Sequence, residues 1–113
     1  MPFNEYQADR IRQRMSSLDN VVEKKMMGGL IFMVNDKMCV GLDVEKTSGE
    51  DRLMVRVGKL AYEQLLGKRG SKLMDFTGKP MRGFLFISAE GFDAEVDLDF
   101  WIEKALEFNK LIK

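Results

Sequence analysis

The stretch VVEKKMMGGLIFMVNDKMCVGL, Val21 to Leu42, decides how this chain is read. Two lysines run into two methionines, a glycine pair and then a block that is apolar at both alternating positions. Leu30, Phe32 and Val34 alternate with Ile31 and Met33, which predicts a strand apolar on both faces. Asn35 and Asp36 supply the chemistry of a tight turn, and Met38, Val40 and Leu42 return on one face of a second strand. Gly28-Gly29 fails the tests for a phosphate loop: it matches neither the Walker pattern nor the dinucleotide fingerprint, and it opens a strand where such sites open a helix. A bulge or a close backbone crossing between two strands accounts for the pair better.

Outward from this hairpin the pattern changes period. Tyr6, Ile11, Met15 and Leu18 recur at helical spacing, so residues 3–18 are expected to form an amphipathic helix whose arginines, Arg10, Arg12 and Arg14, fan over a solvated side. DVEKTSGED reads as a polar surface loop, and RLMVRV as a strand with Leu53, Val55 and Val57 inward. KLAYEQLLGKRG is a short helix carrying Leu60, Leu65 and Leu66, closed by Gly67 or Gly70 with Lys68 and Arg69 near its last carbonyls. KLMDFTGKPMRGFLFIS reads as two strands folded about Gly78-Lys79-Pro80. Leu98, Trp101, Ile102, Ala105, Leu106 and Ile112 form a closing helix, with Asp97 as its N-cap. The order helix, three or four strands, helix, two strands, helix predicts an α+β fold, a two-layer arrangement of an antiparallel sheet with helices packed against it, spanning 1–113 as a single domain.

Composition narrows the chemistry. The chain holds no histidine and one cysteine. A His general base, a Cys-His nucleophile pair, a His-ligated zinc and an internal disulfide are therefore all excluded within it. Cys39, between Met38 and Val40 in a strand, reads as a small hydrophobe. Asp93, Glu95, Asp97 and Asp99 fall at every second position, but they suit a helix N-terminus better than a calcium loop. No metal, cofactor or catalytic residue is expected, and the chain is read as a non-enzyme. It lacks a signal peptide and any apolar run long enough to span a bilayer, so a cytoplasmic location is expected.

The formal charge is zero but unevenly spread. Residues 52–82 carry eight basic side chains against two acidic ones, whereas residues 83–113 carry seven acids against three lysines. Lys24, Lys25, Lys68, Arg69, Lys72, Lys79 and Arg82 are the candidate partner-binding residues for an acidic protein surface; the alternative is weak nucleic-acid binding through the basic 52–82 stretch. The nine methionines divide into Met15, Met33, Met38 and Met54, which fit core faces, and Met26, Met27, Met74 and Met81 near turns, where thioethers can adapt to a partner.

EKKMMGGLIFMVNDKMCVGL, RLMVRVG, FTGKPMRGFLFI and FWIEKALEF, in that order, resemble the N-terminal domain of the TfoX/Sxy family. The basic residue, Met and Gly-Gly of that family fall on Lys25, Met26, Met27, Gly28 and Gly29; its Gly-Lys-Pro turn falls on Gly78, Lys79 and Pro80, and its late tryptophan on Trp101. The resemblance implies a fold similar to secretion chaperones and a regulatory role of the competence type, exercised alongside the cyclic-AMP receptor protein, a transcription factor. It supplies no catalytic residues. The C-terminal helix-hairpin domain of the full-length regulators is not expected in this chain. The function expected is thus a regulatory or adaptor domain working by protein–protein interaction. A homodimer is expected as well, formed to cover the second apolar face of the sheet.

Overall fold

The computed structural model describes residues 3–26, 28–75 and 80–112. The elements run α1 (Glu5–Met15), β1 (Val21–Met26), β2 (Gly29–Val34), β3 (Lys37–Val44), β4 (Asp51–Arg56), α2 (Gly58–Leu65), β5 (Ser71–Asp75), β6 (Pro80–Ile87), α3 (Ala89–Phe92) and α4 (Glu95–Leu111). All neighbouring strands are antiparallel and the sheet order is β1-β2-β3-β4-β6-β5. This is the expected α+β architecture. Among the described residues no helix is long and apolar enough to cross a membrane.

The β2–β3 hairpin turns at Asn35 (φ 53°) and Asp36 (φ 65°). Positive φ at both central residues is the geometry that matches the twist of the flanking strands, and Asn and Asp tolerate it best after glycine. At the β1–β2 connection the two glycines do different jobs. Gly28 adopts φ +76° with open space around it, so it makes the turn. Gly29 lies so close to β3 that a Cβ would collide with the Leu42 carbonyl oxygen and lie 2.8 Å from the Asp43 Cβ. The glycine pair is therefore a turn followed by a close strand crossing.

Alternation along the strands divides the side chains between two faces. Leu30, Phe32, Val34, Val40, Leu42, Leu53, Val55, Leu85 and Ile87 join Ala8, Ile11 and Met15 of α1, Tyr62 of α2, Phe92 of α3 and Leu98, Trp101, Ile102 and Ala105 of α4 in the main core. Cys39 enters this core as well, through a register shift between Phe32 and Met33 that leaves it between the pairs Phe32–Val40 and Met33–Met38. Trp101 is fully buried and its Nε1–H donates to the Gly91 carbonyl (3.1 Å). Asn109, also buried, donates to the Val34 carbonyl (3.0 Å) and accepts from Asn35 (3.1 Å), tying the end of α4 to the hairpin turn.

Four readings of the helices change. Tyr6 and Leu60 point to solvent (68% and 87% exposed), and Ala8 and Tyr62 fill the buried stripes instead. The arginines of α1 are not a solvated face. Arg10 is buried, donating to the Phe92 and Asp93 carbonyls, to Gln7 and to Glu95 (2.7–3.1 Å). Arg14 binds Glu95 and Asp99, and Arg12 makes a two-pronged contact with Glu23 of β1 (2.8 Å each). The N-cap of α4 is Ala94, with no side-chain cap bond; Glu95 and Asp97 sit within the first turn, where carboxylates favour the helix dipole. The end of α2 is sealed by Ser71, whose Oγ lies 2.6–2.9 Å from the carbonyl oxygens of Leu65, Leu66 and Lys68. Gly70 takes the left-handed conformation (φ +84°) leading into β5.

Candidate functional site: the open face of the sheet

All four helices pack on one side of the sheet. On the other, a second cluster forms from Ile31, Met54 and Phe86, with Met33, Met38, Met81 and Phe84 partly buried against it. No residue of any helix belongs to this cluster. Met33, Met38 and Met54, read from sequence as core, thus belong to the open face.

The register of the sheet runs one continuous row across this face: Lys24 opposite Ile31, Ile31 opposite Gly41, Gly41 opposite Met54, Met54 opposite Phe86 and Phe86 opposite Lys72. Opposed residues in antiparallel strands project to the same side, so the row has an apolar middle and a lysine at each end. Gly41 forms a low point in it. A Cβ there would meet Ile31 Cδ1 at 2.9 Å and Met54 Cε at 3.0 Å, so the neighbours fold over the space that a side chain would take.

Two arginines flank Met54 on β4. Arg52 grips Asp43 of β3 with two hydrogen bonds (3.0 and 2.8 Å) and lies 3.8 Å above the centre of the Phe86 ring. This guanidinium is thus held by a paired carboxylate and a stacked ring. Arg56 sits 5.3 Å from the Phe84 ring and 5.6 Å from Phe108, and no ion pair involves it among the described residues. A shallow cavity of about 190 Å³ opens beside Arg52 at the end of β6, lined by Glu45, Glu50, Asp51, Lys72, Phe86 and Ser88. Its carboxylates and cations oppose one another, and the Ser48 hydroxyl holds Glu45 below the usual carboxylate range, with Thr47, Lys72 and Arg52 adding to the effect.

The candidate basic residues do not form one surface. Lys24 and Lys72 lie on the open face, at opposite edges of the sheet. Lys25 is paired with the core residue Leu30 and projects to the helix side. Lys68 stacks over Phe100 of α4 (4.4 Å) and Arg69 is exposed in the same turn, both away from the sheet face. Arg82 is exposed between Met81 and Phe84, both packed on the open cluster, where Gly83 (φ 92°) interrupts the strand alternation. Lys79 and Gly78, together with Met27, lie outside the described residues, and Pro80 begins β6. Met26 is part-exposed at the end of the edge strand β1.

From sequence Arg52 and Arg56 count only within the basic 52–82 stretch, and Phe84 and Phe86 only within an apolar strand, although the signal that joins them is present: Arg-x-Met-x-Arg on β4 and Phe-x-Phe on β6 share one parity. Cys39 offers no nucleophile. Burial pushes its thiol up to about 12, only partly offset by the nearby Arg56, so it stays protonated near neutral pH. Among the described residues no group of three or more Asp, Glu or Cys side chains is placed to hold a metal ion.

Comparison with curated proteins and with solved structures gives no significant match. The sequence profile described as the TfoX N-terminal domain, in contrast, matches residues 13–109, from the last turn of α1 to the last turn of α4. The chain therefore belongs to the TfoX N-terminal domain family.

Proposed function

We propose that this domain is a non-enzymatic regulatory adaptor that acts by binding another protein through the open face of its sheet. Family membership supports a regulatory, competence-related role. The observation that carries the binding mode is the second apolar cluster, Ile31, Met54 and Phe86 with their methionine surround, lying on a face that none of the helices covers. Apolar clusters of this kind at a surface mark interaction sites, and flexible thioethers suit a surface that must fit the side chains of a partner. The absence of histidine and the protonated, buried Cys39 favour binding over chemistry.

Affinity capture with the wild-type chain and with Phe84→Asp, each first shown to melt cooperatively, tests the proposal. A partner retained by the wild type and lost by the variant is the expected result. An identical set of captured proteins would remove the open face from the function.

A further inference from the structure

We infer that the occupant of the open face is a protein segment with an apolar middle and acidic residues at both ends, an inference that rests on the adaptor reading above. The row Lys24–Ile31–Gly41–Met54–Phe86–Lys72 crosses all six strands. At ~4.8 Å per strand its two lysines stand about 24 Å apart, the reach of about seven extended residues or about sixteen helical ones. Between them the surface is apolar, with Ile31 and Met54 closing over Gly41.

Among the described residues the register places Lys24, Arg52, Arg56 and Lys72 on this face against Asp43, with Glu45 at the rim beside Arg52 (3.8 Å). Asp43 is committed to Arg52. That leaves Lys24 at one end and Lys72 at the other, with Arg56 alongside the row, as the groups that a carboxylate can approach. Lys72 faces some competition from Glu45, so the Lys24 end offers the less contested cation.

Other occupants fit less well. A second copy laid face to face sets this cationic surface against an identical one, and like charges in apposition oppose association. A single-stranded nucleic acid stacks its bases on exposed rings, but the Phe86 ring is buried and already covered by the Arg52 guanidinium, and a duplex held by its phosphates makes no use of the apolar middle. An acidic-ended apolar segment satisfies both the middle and the ends.

The test uses the full chain as bait for a displayed library of random peptides about sixteen residues long, the helical span of the row. Enriched peptides are then measured by fluorescence anisotropy against the wild type, Met54→Asp and the double variant Lys24→Glu/Lys72→Glu. The double variant changes only side chains at the two sheet edges, and a thermal melt verifies its fold. Enriched peptides are expected to carry Asp or Glu on both sides of an apolar centre. They should bind about tenfold or more weakly to the double variant, a change of about 1.4 kcal/mol, and copies with lysine ends should bind that variant better than the wild type. Peptides that lack acidic ends but are lost on Met54→Asp would overturn this inference while leaving the adaptor reading standing. Peptides indifferent to both variants, or no enrichment at all, would overturn both. Displacement of the peptides by self-association or by duplex DNA would replace the acidic segment with that occupant.

Discussion

The two faces of the sheet draw on the same kinds of residue and end in different states. On the helix side Phe32, Leu53, Val55, Leu85 and Trp101 are wholly enclosed, and polar groups that enter, Arg10 and Asn109, are tied to backbone carbonyls. On the open side Ile31, Met54 and Phe86 are nearly as inaccessible, yet what covers them is the stems of methionines and a stacked arginine. A helix layer confers packing that cannot be peeled away without unfolding. Long flexible side chains confer burial that a partner can rearrange. Low accessibility therefore does not by itself identify a core; the identity of the covering atoms does.

The sharpest way to break this comparison is to truncate an aromatic ring on each face. Phe32→Ala should cost about 3–5 kcal/mol, because the enclosing layer cannot collapse into the cavity. Phe86→Ala should cost about 1–2 kcal/mol, nearer the transfer term alone, since neighbouring methionines and solvent can fill the space. Urea melts give both values. Equal losses would mean that the open cluster is a second core.

The glycine pair offers a smaller and more local contrast. Gly29 has the parity of Ile31, so a side chain there projects to the open face where no helix stands in its way. Gly29→Val should nevertheless destabilise by about 1–3 kcal/mol, because its Cβ meets the β3 backbone at Leu42. Gly28→Ala has free space and only its left-handed backbone to oppose it, and should cost about 1 kcal/mol. If the order of the two urea midpoints is reversed, backbone strain outweighs the close crossing.

Element order and the β2–β3 turn were legible because their causes are local: Asn35-Asp36 carries its turn chemistry within two residues, and the change of period announces each helix and strand. The buried stripe of α4 was legible for the same reason, with Trp101 at its centre. Arg10 was not. Its partners Phe92, Asp93 and Glu95 lie more than eighty residues along the chain, and no periodicity says that a helical arginine will be capped by distant carbonyls. Asp97 was a reasonable cap by residue type, but the helix starts three residues earlier behind Ala94, where Arg10 holds the carbonyls just before it. The open-face stripe failed for another reason. When both parities of a strand are apolar, as in Leu30–Val34, the sequence identifies two faces and not which of them the helices take.

Acid should act on the helix-side attachments. Glu23 is held below the usual carboxylate range of 4.5 chiefly by its hydrogen bonds from Arg12, and Glu95 likewise by Arg14 and then Arg10. A carboxylate whose folded value is lowered lends stability that is complete above its unfolded value and disappears as pH falls through the folded one. The melting temperature should therefore be flat above about pH 5 and decline below it. Glu23→Gln/Glu95→Gln should lower the neutral-pH value slightly and flatten the acid decline. An unchanged acid slope would show that these pairs do not secure α1 to β1 and α4.

The smallest effect concerns duplex DNA and bears on the open face alone. Lys68 and Arg69 lie with the helices, which leaves Lys24, Arg52, Arg56 and Lys72 as the cations that the sheet register places on the open face among the described residues. If all four gripped phosphates, log–log salt dependence would have a slope of about −3.6, at ~0.9 per contact. Arg52 is already neutralised by Asp43, and Glu45 stands beside it, so fewer contacts are available. The slope expected is about −2 or shallower, with affinity no better than the ~10⁻⁶ to 10⁻⁴ M of non-specific binding at physiological salt. Titrating a labelled duplex at two salt concentrations measures both quantities. Lys24→Glu/Lys72→Glu should weaken what binding there is, since among the described residues neither lysine has an ion pair. A slope steeper than about −3 with sub-micromolar affinity would instead mean that more cations than these reach the phosphates, and the open face would then belong to a nucleic-acid surface.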